Sequence, residues 1–294
     1  MALFNRQHLK VVVLIENQVG KSKFRSIATG FLVGFILDNN PDPQKRTYRI
    51  FLVTNRHVFE GAEVLWLRFD KKENSGTARF PIYLKQNNET KWLAHKNTKV
   101  DLAMLTISHQ FLNDQGVDWL FFNEEMIAYQ KDFEDIGIEL GDELFILGFP
   151  MGLSGSLQNF AIVRSGTIAR VDEEIVKREK YFLIDSTIFP GNSGGPVLLK
   201  PELASLTNTK AVNSVYVLGV VSGYKLYKEP LYSHQSNPPS VGAVSIENSG
   251  LAVIVPMDFA KEIYQDFIKQ QKKLEKEIKG KEKTIQEKVD ASQK

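Results

Sequence analysis

Short apolar runs rich in Val, Ile, Leu and Phe, closed by Gly, Asn, Asp or Pro, recur along most of this chain. They read "ATGFLVGFIL", "YRIFLVTN", "AEVLWLRF", "ARFPIYL", "VDLAMLTI", "ELFILGFP", "AIVRSGTIARV", "KYFLIDSTIF", "GPVLLK", "SVYVLGVVSG" and "GLAVIVPM". Runs this short, with β-branched and aromatic residues and no long helical period between most of them, predict an all-β barrel or sandwich. They fall into two groups, roughly 8–110 and 140–256, separated by a mixed connector with about one helical turn. The first strand is expected over residues 11–15, "VVVLI".

Three segments break the pattern. Residues 38–47, "DNNPDPQKRT", read as a polar hairpin loop. Residues 224–248, opened by Tyr224 and closed by Asn248, read as a long loop of the kind that carries function. The tail changes period: Ile263, Phe267, Leu274 and Ile278 follow helical spacing among many Glu and Lys residues. Its first half is expected to pack on the body. Gly280 and sparse apolar positions make the second half a weak coiled-coil candidate or a solvated end, with the solvated end favoured.

Composition narrows the functional classes. Net charge is +2, and the segment from Asp258 onward holds ten lysines against eight acids, so the body is balanced. That gives no electrostatic footprint for nucleic acid. The chain has no cysteine, which excludes thiolate metal sites, redox dithiols and disulfides. The apolar run 11–15 is too short for a signal-peptide core and far too short to span a bilayer, so a cytoplasmic address is expected. "GFPMGLSG" lacks the lysine and spacing of a phosphate cradle, and no metal constellation stands out. No cofactor is expected.

"PGNSGGPVLL" sets Ser193 among Gly191, Gly194 and Gly195, directly before an apolar strand. Glycines this dense suit a shaped loop at the mouth of a core strand. A serine there becomes a nucleophile only with a base and a stabiliser for the oxyanion. Of five histidines, His57 follows the strand "RIFLVTN" at its lip, where a side chain is held well. His8, His95, His109 and His234 lie in polar or irregular settings and read as surface residues. Asp101 interrupts the apolar run "KVDLAML". It either orients an imidazole or binds backbone N–H groups at a strand edge. Asp185 in "FLIDSTIF" is its rival and suits a structural role.

The order His57, Asp101, Ser193 is that of the Ser-His-Asp triad, and the chain resembles the trypsin-like (chymotrypsin-fold) serine proteases. Within them it is most similar to the cysteine-free HtrA/Deg-type branch, on "TNRHV", "VDLAML", "GNSGGPVL", "GFPMGL" and "GLAVIVPMDFAKEI". A PDZ domain after the catalytic unit, usual in that branch, is missing from the pattern. The resemblance implies two six-stranded-type antiparallel β-barrels with a C-terminal α-helix. Residues 1–120 would form a barrel with His57 and Asp101, 121–139 a connector, 140–256 a barrel with Ser193, and 257–294 the charged helix. It implies an endopeptidase acting through an acyl-enzyme on a polypeptide substrate. Ser193 would be the nucleophile, His57 the base, Asp101 its orienter, and the N–H groups of Gly191 and Ser193 the oxyanion hole.

By the same pattern the specificity pocket lies near Thr187, Ser222, Gly223 and Tyr224. With no carboxylate at Thr187, a small or medium apolar residue is expected before the scissile bond. Glu229 or Glu247 would alter this if the long loop carried either into the pocket. Asn192 stands where secreted members carry an Asp that pairs with a newly cut N-terminus, so activity without processing is implied. The alternative is a catalytically silent module of the same fold, binding a partner through the 224–248 loop or the C-terminal helix. That helix also offers a contact for self-association.

Overall fold

A computed structural model describes residues 4–87, 89–202, 210–233 and 240–292. The first half is a sheet of β1 (Val12–Gln18), β2 (Phe24–Asp38), β3 (Thr47–Thr54), β4 (Val64–Asp70) and β5 (Thr77–Tyr83). A small hairpin, β6 (Lys85–Gln86) with β7 (Glu89–Thr90), leads to β8 (Leu93–Ala94) and β9 (Ala103–Thr106). One turn of helix, α1 (Arg56–Phe59), follows β3, and α2 (His109–Asp114) follows β9. Strand order is β5-β4-β1-β2-β3-β9-β8, with β10 (Phe122–Asn123) joining β2 in parallel. Among the described residues the end strands β5 and β8 do not pair with each other, so this half is an open sheet where the resemblance implies a barrel. A two-residue β8 offers too little edge to complete a ring.

The second half is a closed barrel, β11-β12-β13-β16-β15-β14. Its strands are β11 (Glu143–Gly148), β12 (Ile162–Arg170), β13 (Phe182–Asp185), β14 (Pro196–Leu199), β15 (Val217–Ser233) and β16 (Ser240–Pro256). Helical turns α3 (Phe133–Ile136) and α4 (Glu173–Glu179) flank it. Strand alternation divides the labour. Leu144, Ile146, Phe182, Ile184, Val197, Leu199, Ala252 and Ile254 point inward and fill the barrel. Leu147, Leu198, Val220 and Val255 face the other way and join the larger core shared with the first sheet. The mostly β architecture follows the sequence reading.

The segment 224–248 is no irregular loop. Its ends continue β15 and β16 as a two-stranded ribbon beyond the barrel, in register from Leu226↔Asn248 to Leu231↔Ala243. "AVSIENS" alternates as a strand does, a signal outweighed in the sequence by the Pro, Asn and Ser residues of the segment. His234 lies outside the described residues.

The final helix, α5 (Asp258–Ser292), docks by its first turns. Phe259, Ala260 and Ile263 are buried, Tyr264 stacks on Phe35 at 4.4 Å between centroids, and Phe267 meets Phe51 edge-on. Polar ties reinforce the seat: Asp258 accepts from Gln130 N, His95 Nε2 meets Glu262 at 2.8 Å, and Lys96 pairs with Asp266. From Lys269 to Gly280 the helix is exposed. Ile263→Ala should therefore cost about 2–4 kcal/mol in denaturant unfolding. Leu274→Ala, at a half-exposed position, should stay within about 0.5 kcal/mol; equal costs would mean the helix does not dock this way.

Candidate active site

Three segments from both halves converge at the boundary between sheet and barrel. The apolar β3 ends in Thr54 and Asn55, and α1 begins at once, so His57 stands on its first turn beside the chain end of a rigid strand. Asp101 precedes β9, which pairs with β3 at Thr54↔Ala103. That pairing carries the carboxylate to the imidazole. His57 Nδ1 lies 2.7 Å from Asp101 Oδ2, and the His57 backbone N–H donates to Oδ1 at 3.0 Å.

Ser222, just past the last residue of β15 bonded to the serine loop, donates its hydroxyl to the same Oδ2 at 2.6 Å. Burial by itself would raise the Asp101 pKa. Hydrogen bonds from His57 and Ser222 and the nearby imidazole outweigh it and hold the carboxyl below its ordinary value. Asp101 thus remains a carboxylate, with Oδ2 shared between a ring nitrogen and a hydroxyl.

The serine loop is built by close backbone approach. Phe189, Pro190, Gly191 and Asn192 form a turn closed by Asn192 N donating to Phe189 O at 3.0 Å. Pro190 sits second and Gly191, at φ +99°, third, the residue pattern of a type II turn. The Pro190 carbonyl accepts from Met151 N at 2.6 Å. In a planar trans peptide the Gly191 N–H must point the opposite way. A Cβ on Gly194 would lie 2.0 Å from Thr29 O, and one on Gly195 2.2 Å from Leu147 O. Asn192 is fully buried and its Oδ1 accepts from Phe189 N, tying the turn from inside.

Among the described residues the Ser193 hydroxyl donates to Ser222 O at a long 3.5 Å, and no hydrogen bond joins it to the His57 ring. The two are linked through Ser222, which touches the serine by its carbonyl and Asp101 by its hydroxyl. Thr187 is exposed at the end of β13, while Gly223 and Tyr224 follow Ser222 along β15. A Cβ on Gly223 would meet open space, and Tyr224 packs partly on the barrel core. Glu229 and Glu247 stand exposed on the ribbon, and Asp185 is exposed on β13. His109 is exposed, as expected. The surface reading fails for two other histidines. His8 is half-buried against Phe4 and Phe122, with burial lowering its pKa, and His95 is largely covered by Phe259 and Glu262.

Sequence reasoning missed the residues that hold the loop in place. Fully buried Thr29, on β2, donates its hydroxyl to Gly191 O at 2.6 Å and accepts from Phe149 N at 3.1 Å. Its N–H donates to Ser193 O at 2.8 Å, and its carbonyl accepts from the Thr54 hydroxyl at 2.8 Å. Asn55 Nδ2 donates to Asp101 O at 2.9 Å. The available signal was a hydroxyl inside an otherwise apolar strand, "ATGFLV".

Comparison with known proteins places these segments in context. Residues 28–202 match a family described as the trypsin-like peptidase domain. A protein of Plasmodium falciparum (isolate 3D7), described as a serine protease DegP homolog, is 28% identical over 159 residues. That match takes in 53% of this chain and only 15% of the length of that protein. The atomic-resolution structure of HBP aligns over 91% of this chain and 93% of its own, at 14% identity and a TM-score of 0.45. Among the described residues no group of side chains forms a metal site, and no helix is long and apolar enough to cross a membrane.

The lowered Asp101 pKa has a definite sign in stability. Its contribution is complete above the unfolded carboxylate value of about 3.9 and is lost as pH falls through the lower folded value. Asp101→Asn should be less stable than wild type at pH 7. The gap should narrow as wild type loses stability in acid, in paired denaturation curves from pH 7 down to pH 2. A pH-independent gap would show that the carboxylate charge is not what the site holds.

Proposed function

We propose that this chain, which belongs to the trypsin-like peptidase family, is a serine endopeptidase that cleaves polypeptides through an acyl-enzyme. The observation that carries the reading is the His57–Asp101 pair set beside a glycine-shaped serine loop. Asp101 accepts at Nδ1, which fixes the tautomer and leaves the Nε2 lone pair as the base. His57 takes the proton of Ser193 as its oxygen attacks the scissile carbonyl, then gives it to the leaving amine. The N–H groups of Gly191 and Ser193 stabilise the oxyanion, a role supported by the turn that aims the Pro190 carbonyl away from the site.

Thr187, Ser222, Gly223 and Tyr224 form the pocket for the residue before the scissile bond. The open space over Gly223 and the removal of Glu229 and Glu247 to the ribbon support a small or medium apolar occupant. Asn192 closes its own turn through Phe189 N, which supports activity without a newly cut N-terminus. Likeness to a DegP homolog supports placement in the HtrA-type branch. The reading keeps the cytoplasmic address expected from the sequence, supported by the cysteine-free composition.

A second reading, a silent binding module of this family, draws on the Ser193 hydroxyl being turned to Ser222 O. Apo catalytic hydrogen bonds commonly form only with substrate, so this contact does not by itself favour silence. The two separate in a cleavage assay on an extended peptide library with the chain uncut at its N-terminus. Wild type should cut after small or medium apolar residues, and Ser193→Ala should lose about 10⁴-fold or more in kcat. Equal rates for both proteins, or no cleavage by folded wild type, would sink the endopeptidase.

A further inference from the structure

Past Val221, β15 has among the described residues a strand neighbour on one side only. Its first residues pair with β14, at Val197↔Gly219 and Pro196↔Val220. The serine loop then takes over, with Gly194 N donating to Val221 O at 2.8 Å and Val221 N to Gly195 O at 2.9 Å. From Ser222 outward its strand partner among the described residues is β16 alone. A row of unpaired N–H and C=O groups is a template for another strand. The edge opens at Ser222, whose carbonyl touches the Ser193 hydroxyl, and past register shifts at Val221/Gly223 and Tyr224/Leu226 it runs regularly from Leu226. Its root is fixed: Lys225 Nζ donates to Tyr181 Oη at 2.6 Å and lies over that ring.

The ribbon also has an uncovered apolar face. Leu226, Lys228 and Pro230 share that face with Asn248, Ile246 and Val244 across the ladder. Leu226, Val244 and Ile246 are exposed by 55%, 52% and 58%. The opposite face mixes Tyr227 and Leu231 with Glu229, Glu247 and Ser245. Two strands with an open apolar face are marginal in water, and a third strand is the remedy.

We propose that the free edge of β15 beyond Tyr224, over residues 225–229, is an extended subsite for polypeptide, resting on the endopeptidase reading above. Residues N-terminal to the scissile bond add to it as an antiparallel strand, with apolar side chains favoured at alternate positions over Leu226. The direction follows from the topology. β15 runs outward from Ser222, so an antiparallel strand that ends at Ser193 must extend its N-terminal side along the ribbon. Pro230 has no N–H to offer, which closes the template at Glu229. The edge thus favours an extended segment that is apolar at alternate residues well upstream of the cut.

The test uses peptide pairs with one common cleavage sequence and four common upstream residues. One member is extended upstream by about five residues of alternating apolar and polar type, the reach of the edge at strand rise. The long-to-short ratio of kcat/KM should be about tenfold, the sum of a few cross-strand pairs. N-methylation of alternate amides in the extension should return the ratio to about one, with no change to the protein. Leu226→Ser and Ile246→Ser should each lower the ratio. A ratio near one, indifference to N-methylation, or unchanged ratios in both variants would overturn the proposal. Cleavage of the short peptide without any gain for the long one removes this subsite alone; cleavage of neither removes the endopeptidase reading with it.

Discussion

The contact between β2 and the serine loop is the constraint on which the rest of the site depends. Thr29 binds that loop with its N–H and its hydroxyl, while its carbonyl accepts from Thr54 on β3. The approach leaves no room for a side chain at Gly194, where a Cβ would fall 2.0 Å from Thr29 O. Gly194 also sits at φ +83°, so the position is closed to other residues by backbone conformation as well as by space. Thr29 belongs to the first sheet and Ser193 to the second half, so this buried threonine ties the two halves together at the site, within the apolar core they share. A serine held this way cannot drift from a histidine mounted on the neighbouring strand.

The electrostatic part of the site is assembled on the same plan. Asp101 sits where a lone charge would be costly, and its stabilisation comes from donors on two halves of the molecule, His57 and Ser222. Its loop is also gripped from behind. His95 and Lys96, a few residues earlier, meet Glu262 and Asp266 on the docked turns of α5. His95 Nδ1 accepts from Asn97 N, which leaves the Nε2–H to donate to Glu262. The C-terminal helix is therefore coupled by packing and charge to the segment that presents the carboxylate.

Much of this was legible in the sequence, for identifiable reasons. His57, Asp101 and Ser193 each break an apolar run or crowd glycines together, and such departures are where sequence reasoning locates chemistry. The structure brings the first two into contact and sets the third beside Ser222. Thr29 gives only a weak signal, because a threonine in a strand fits the strand pattern whether or not its hydroxyl has a task. The closed second barrel and the open first sheet looked alike, since hydrophobic period reports which face is buried and not which edges meet. The ribbon was misread because Pro230 and the Ser and Asn residues of 224–248 carry turn chemistry, which outweighed their alternation. His95 was judged by its polar neighbours in sequence, while its cover comes from a helix more than a hundred residues away.

On the proposed reading, the β2 contact presents one serine, activated by His57 and Asp101, for nucleophilic attack. The most direct test of that reading is labelling of the folded chain by a fluorophosphonate, with the modified residue mapped by peptide mass. Single labelling at Ser193 is expected, lost in Ser193→Ala and strongly slowed in His57→Ala. Folded protein that stays unlabelled, or carries the label on another serine at the same rate with or without His57, would contradict it.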